Sequence, residues 1–149
     1  MFTPELPEGD RGGNLIFVRP GPDSPPMRLH AFWDNAAGHT EKPESVSRLA
    51  RRLTRLPGLG RAALEELRER PYTGEAAFER WAREESYPLA VRVAYQGGTL
   101  AAAISEERAV VLSSVYVARA KQLSVRRVVL SGYRLADVLT ALLLPGSSV

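Results

Sequence analysis

The chain has 149 residues, 44% hydrophobic and 25% charged, with a formal net charge of +3; that size and balance suit one soluble domain able to bury its own core. It contains no cysteine, which excludes disulfides, iron–sulfur ligation, thiol catalysis and zinc ribbons. No apolar run reaches the ~20 residues needed to cross a bilayer, and the opening MFTPELPEGDRGG lacks the basic and apolar segments of a secretory signal.

Residues Met1 to Gly13 hold turn formers without periodicity and read as an irregular arm, with Gly12-Gly13 marking a tight backbone feature. Asn14 to Val18 is short, apolar and rich in strand formers, so a strand is expected. Arg19 to Pro26 carries four prolines, which lack amide donors and fix φ; it is expected to be a loop, the tip of a hairpin-like excursion. From Leu29 a helix is expected to run to about Gly38, with Leu29, Phe32 and Trp33 on its apolar stripe.

Pro43 stands near the first turn of a second helix, which carries Val46, Leu49, Ala50, Leu53 and Leu56 at helical spacing until Pro57 to Gly60 breaks it. Helices are also expected over Arg61 to Arg70, and after Thr73 as N-cap, the latter with Ala76, Ala77, Phe78, Trp81 and Ala82 facing inward. Tyr87 to Tyr95, interrupted by Pro88, fits either a continued helix or an extended segment. A turn follows at Gln96 to Thr99. Ser105 to Arg108 reads as a helix start, with acidic residues favouring the macrodipole. Apolar residues then recur at helical spacing from Val111 to Leu144, with a kink or break expected at Ser131-Gly132 and a stop at Pro145-Gly146. The fold class is mostly α with one short β excursion near the N-terminus.

The positive charge is carried almost wholly by arginine. Arg48, Arg51, Arg52, Arg55, Arg61, Arg68 and Arg70 dominate the middle of the chain. Such a cluster can meet phosphates through bidentate hydrogen bonds. Runs of charge are mostly solvated faces, however, and Glu65, Glu66 and Glu69 balance much of this one, so a solvated helix surface is the reading adopted.

Chemistry concentrates in Met27 to Asn35, MRLHAFWDN. His30 and Asp34 are four residues apart, a spacing that stacks two side chains on one helix face. An imidazole and a carboxylate presented together can share a zinc ion, although a catalytic zinc normally draws about three ligands from the protein. The other histidine, His39, sits beside Gly38 and Thr40 and reads as an exposed loop residue.

With DRGGN at Asp10 to Asn14, a short strand, a loop and then LHAFWD, the chain resembles the zinc-dependent, single-strand-preferring nucleases of the S-one/P-one type, in the phospholipase C/P-one nuclease superfamily. Their signature runs D-x-G-G-N, a strand, and N-L-H-x-x-W-D on a helix. Trp81-Ala82 with Glu85-Ser86 matches the family's W-A-x-E-S segment, and Leu112 to Leu143 looks like its closing helices, ending in G-x-R-L-A-x-L-L.

The resemblance implies a mostly helical fold holding three zinc ions, which hydrolyse phosphodiesters of single-stranded DNA or RNA to 5′-phosphates. It assigns His30 and Asp34 as ligands of one zinc. Leu29 and Trp33 become core residues, and Asp10, Gly12, Gly13 and Asn14 shape the turn beneath the site. A phospholipid head group, the substrate of the superfamily's phospholipases, is the weaker implication, because D-x-G-G-N and the W-D ending look like the nuclease branch.

The departures are as informative. The family's remaining zinc ligands precede D-x-G-G-N, including the amino group and carbonyl of a mature N-terminal tryptophan, and no histidine precedes His30 here. Arg28 replaces the family's asparagine before L-H, and Thr140 an asparagine of the final helix. Residues 1–149 are therefore expected to form a single nuclease-like domain truncated at its N-terminus, the C-terminal half of such an enzyme. The front half or a second chain would then complete the site. The family is usually secreted or periplasmic. The competing expectation is a non-catalytic helical remnant that binds metal weakly or binds a protein.

Overall fold

The structure, a computed structural model, describes residues 2–38, 42–68, 74–100 and 103–144. His39, the Thr73 cap, the Arg70 end of the expected helix and the Pro145-Gly146 stop lie outside the described residues. The fold is mostly α with one small sheet near the N-terminus. The chain divides into two compact units, Met1–His39 with Ser86–Ser124, and Thr40–Glu85 with Val125–Val149.

In the first unit the arm is irregular, with a turn that pairs Thr3 with Leu6. The expected strand forms later than its composition suggests, as β1, Phe17–Arg19. Asn14 and Leu15 are held back in the preceding turn, where the Leu15 amide donates to the Asp10 carbonyl at 3.1 Å. The proline-rich loop does turn the chain back, and β2 (Met27–Arg28) pairs antiparallel with β1, Phe17 opposite Arg28.

A third strand, β3 (Val110–Val111), joins β1 in parallel, giving the order β2-β1-β3. It was not anticipated. Ser105 to Arg108, expected to start a helix, instead forms a turn with the Arg108 amide donating to the Ser105 carbonyl at 3.2 Å, and so delivers β3.

Helix α1, Leu29–Asn35, follows β2 directly. Its buried Leu29 and Phe32 join Ile16, Val18, Leu100, Ala103, Leu112, Tyr116 and Ala120 in the core of this unit. Ile16 and Val18 point inward from alternate positions, as the two-residue strand period requires, and both are fully buried.

The segment after Trp81 stays helical. A π-helical stretch (Trp81–Ser86), α4 (Tyr87–Leu89) and a second π-helical stretch (Ala90–Ala94) succeed one another. Pro88 lacks an amide and its ring crowds the preceding turn; the wider π turns on either side fit that need. A turn with Gln96, Gly97 and Gly98 at positive φ closes the run, as expected.

In the second unit α2 spans Pro43–Leu53, with Pro43 in its first turn and Glu44 favourably placed there. Its apolar stripe is narrower than the spacing suggests. Leu53 is buried and Leu49 packs beside it, whereas Val46, Ala50 and Leu56 are exposed. The helix expected from Arg61 is only two 3-10 turns, Arg61–Ala63 and Glu65–Leu67, because Leu64 takes an extended conformation (φ −94°, ψ 102°) between them. Leu64 and Leu67, three apart, are its two buried anchors.

Helix α3 is Glu75–Arg80, entered through Gly74 at φ 93°. Ala77 is buried and Trp81 half-buried, whereas Ala76, Phe78 and Ala82 face solvent, contrary to the inward stripe expected. The closing helix α5 runs unbroken from Ser114 to Leu143. Its start is capped by Ser113, whose hydroxyl accepts the Tyr116 amide at 3.1 Å. The helix does not break at Ser131-Gly132: the Ser131 hydroxyl finds its partner in the Val128 carbonyl at 2.9 Å, and one exposed glycine costs a long helix only about 1 kcal/mol.

Candidate metal centre

The site is built from the turn upward. Asp10 is 1% exposed, and its carboxylate accepts the Gly13 amide at 3.1 Å. Burial pushes its pKa up, but hydrogen bonds, including those from the Tyr95 hydroxyl and the Gly12 backbone, outweigh that and hold it below the ordinary carboxylate range. Gly12 and Gly13 sit at φ 67° and 87°, conformations that side chains rarely adopt. A Cβ on Gly13 would also lie 3.1 Å from the His30 backbone nitrogen.

That closeness is the point of contact between turn and helix. The Gly13 carbonyl accepts the His30 amide at 3.3 Å, and the Ile16 carbonyl accepts the Leu29 amide at 2.8 Å. Two amides at the start of α1 are thus satisfied without a side-chain cap. Arg28, where the family pattern has asparagine, donates to the Asn14 carbonyl and lies over the Phe17 ring at 5.0 Å. It ties the strand to the same turn.

His30 projects from this platform with its side chain about half exposed. Its Nδ1 lies 2.9 Å from the Gly12 carbonyl oxygen. A carbonyl has no proton to give, so Nδ1 must donate; in the neutral ring this tautomer leaves the lone pair on Nε2. Nε2 in turn lies 3.3 Å from the Asp34 carboxylate, one helical turn on. Two acceptors at that distance call for a proton or a cation between them. Ligands bound tetrahedrally at ~2.0–2.1 Å to one zinc stand about 3.3 Å apart. A carbonyl that fixes the tautomer of a ligating histidine is the usual outer support of such a site. The pair therefore fits part of a zinc site. Among the described residues no group of three or more His, Cys, Asp or Glu could hold a metal ion.

The other face of α1 is anchored by aromatic packing. Trp33 Nε1 donates to the Tyr116 hydroxyl at 3.0 Å, and Tyr116 donates to the Ala94 carbonyl at 2.8 Å. Phe32, Trp33 and Tyr116 stack with centroids 5.8–6.1 Å apart. Burial pushes the Tyr116 hydroxyl pKa up to about 12, against the lowering effect of the Trp33 donor. Leu29 and Trp33 thus have the packing role expected of them. Tyr95 and Tyr116 escaped sequence reasoning, since each meets its partner across long stretches of chain and no local spacing announces them.

The second pair of motif segments also converges, in the second unit. Glu85 bridges Arg127 at 2.5 Å and Arg134 at 2.6 Å, and the Trp81 ring lies 5.6 and 5.2 Å from the two guanidinium carbons. Burial raises the Glu85 pKa, but hydrogen bonds and charge attraction from Arg134 and Arg127 prevail and hold it below its ordinary value. The tryptophan and glutamate of W-A-x-E-S and the arginine of G-x-R-L-A are therefore one ion-pair cluster. No metal ligand is needed to explain them.

A family model described as S1/P1 Nuclease matches residues 3–144. No curated protein and no solved structure matches the chain.

Proposed function

Since the chain belongs to the S1/P1 nuclease family, we propose that it supplies part of a zinc-dependent phosphodiester hydrolase acting on single-stranded DNA or RNA to leave 5′-phosphates. The observation that supports this most directly is the hydrogen bond from His30 Nδ1 to the Gly12 carbonyl, 2.9 Å long, which aims Nε2 and the Asp34 carboxylate at a common point. Zinc held there would polarise the phosphodiester and lower the pKa of water.

This chain's residues do the positioning. Asp10 holds the glycine turn, the turn holds the His30 ring, and the Trp33–Tyr116 bond fixes the helix that carries both ligands. Remaining ligands would come from outside the described residues, either elsewhere in the polypeptide or from a second chain. The test is hydrolysis of single-stranded DNA with added zinc, together with calorimetric zinc titration, for the wild type and His30→Ala. Zinc binding and hydrolysis that both vanish in the variant support the reading. Zinc binding unchanged by His30→Ala overturns the assignment of the site.

A second reading, a non-catalytic helical remnant, has one observation in its favour. Val128, Leu135, Leu139, Leu142 and Leu143 of α5 are 51%, 58%, 46%, 71% and 73% exposed, an apolar stripe of the kind that marks a packing surface. Self-association in sedimentation with no hydrolysis under any metal would favour this reading; a monomer that cleaves DNA would remove it.

A further inference from the structure

The arginines along α2 and the turn after it are arranged unlike six others among the described residues of their unit. Arg61, Arg68, Arg83, Arg126, Arg127 and Arg134 each pair with a carboxylate. Arg48, Arg51, Arg52 and Arg55 are exposed, and among the described residues none of them forms an ion pair or hydrogen bond through its side chain. Their spacing, i, i+3, i+4 and i+7, puts all four on one face. The turn continues past the helix end to the last of them, with the Arg55 amide donating to the Arg52 carbonyl at 3.2 Å.

They line a shallow groove with Leu56. The opposite face of α2 is committed inward, Leu49 and Leu53 packing with Leu64 and Leu67. Some of this charge has a local use, since Arg51 and Arg52 lie in the last turn and complement the helix macrodipole. That accounts for neither Arg48 nor the alignment of all four.

We propose that this face binds the sugar-phosphate backbone of a nucleic acid strand, independently of the His30–Asp34 pair and without base preference. For the identity of the polyanion the proposal rests on the nuclease reading above. Arg48 to Arg55, seven residue steps apart, span ~10 Å at 1.5 Å per residue. With the reach of the side chains at both ends, the row can face about three to four phosphates, which advance by ~3.4 Å of axis per nucleotide in a stacked strand and by more in an extended one. Guanidinium forks pair with phosphate oxygens bidentately. Among the described residues no aromatic side chain lines the groove on which a base could stack, so recognition stops at the backbone. An anionic membrane surface fits less well, because an interfacial helix must bury its apolar face in lipid and this one spends it on Leu64 and Leu67.

The experiment is fluorescence anisotropy of labelled twenty-nucleotide oligo-dT and oligo-dA with the full chain in EDTA. Chelation silences metal-dependent hydrolysis and leaves arginine contacts intact. Each phosphate neutralised on a single strand contributes about −0.7 to the slope of log K against log salt. The quadruple Arg→Gln variant at 48, 51, 52 and 55 is expected to flatten the slope by about 2 to 3, equally for both oligonucleotides, while the quadruple Arg→Lys variant keeps it.

Should the glutamine variant fail to fold by circular dichroism, Arg48→Gln and Arg55→Gln singly are each expected to flatten the slope by about 0.7. An unchanged slope overturns the proposal. So does oligonucleotide binding that survives while binding to phosphatidylserine vesicles is lost. His30→Ala leaves this binding intact, so failure here and failure of the zinc site are read separately.

Discussion

Replacing Glu85 by alanine is the sharpest test of how this scaffold is held together. Arg134 is only 5% exposed and Glu85 20%, so neither charge is well screened by water. Removing the carboxylate leaves two guanidinium groups facing each other without their shared anion. Breaking a buried pair from one side costs about 3–5 kcal/mol, because the surviving charge stays desolvated. The Trp81 ring over both arginines offsets at most about 1–2 kcal/mol by cation–π attraction, and it already makes that contribution in the wild type. We therefore expect Glu85→Ala to lose about 3 kcal/mol, near the lower end since Arg127 and Glu85 keep some solvent. In a chain of this size that lowers Tm by roughly 6–12 °C.

The pH dependence gives an independent signature of the same pair. The folded-state pKa of Glu85 lies below its ordinary value of 4.5, so between the two values the unfolded chain binds the proton and the folded chain does not. The stabilisation is complete above pH 4.5 and is lost as pH falls through the lowered folded value. Urea denaturation followed by circular dichroism should accordingly show the gap between wild type and Glu85→Ala wide at pH 7 and closing on acidification. A gap below about 1 kcal/mol at pH 7, the range of exposed pairs, would refute the reasoning, as would one independent of pH.

Three further outcomes follow from the first unit. Gly13→Ala should destabilise by about 1–3 kcal/mol, since alanine at φ 87° is strained and its Cβ would press on the His30 amide nitrogen; stability and zinc affinity that both stay at wild-type values would show that the turn does not clamp the helix. Tyr116, with its folded pKa pushed from 10.0 up to about 12, should make the protein less stable above pH 10, where the unfolded chain ionises and the folded one does not. That alkaline loss should be shallower in Tyr116→Phe, as read by urea titration at pH 9 and 11. Asp34→Asn should weaken zinc binding at least 10-fold in calorimetry, the scale on which even outer partners matter; equal affinity would remove Asp34 from the site.

Legibility in the sequence tracked the range of the interaction. Elements set by local chemistry, such as the proline-rich loop, α1 and the Pro43 start of α2, could be read directly, and so could the i, i+4 pairing of His30 with Asp34. Two errors share one cause. The expected helix at Arg61 and helix start at Ser105 rested on local propensity, which tertiary placement of Leu64 and of β3 overrode. Strand β3 has only two residues, both exposed, and no period can be seen in two positions. The break expected at Ser131-Gly132 failed for the opposite reason: a helix of 30 residues has enough hydrogen bonds around one glycine to carry it through. The Glu85–Arg127–Arg134 cluster was half visible, since both motif segments stood out, but nothing in them says that they touch.

The motif residues divide into two kinds when followed to their contacts. Glu85 and Arg134 form an ion pair against the Trp81 ring, Trp33 donates to Tyr116, and Asp10 accepts the Gly13 amide of its own turn and a hydrogen bond from Tyr95. Each of these contacts lies inside the fold and serves its packing. His30 and Asp34 are the exception, because the Gly12 carbonyl settles only one ring nitrogen and leaves two acceptors 3.3 Å apart. A buried aspartate and two glycines at positive φ hold the turn whose Gly12 carbonyl orients that half-exposed imidazole. The residue so held is where the chemistry of this chain should be sought, and the unpaired arginines of α2 are where its substrate should be sought.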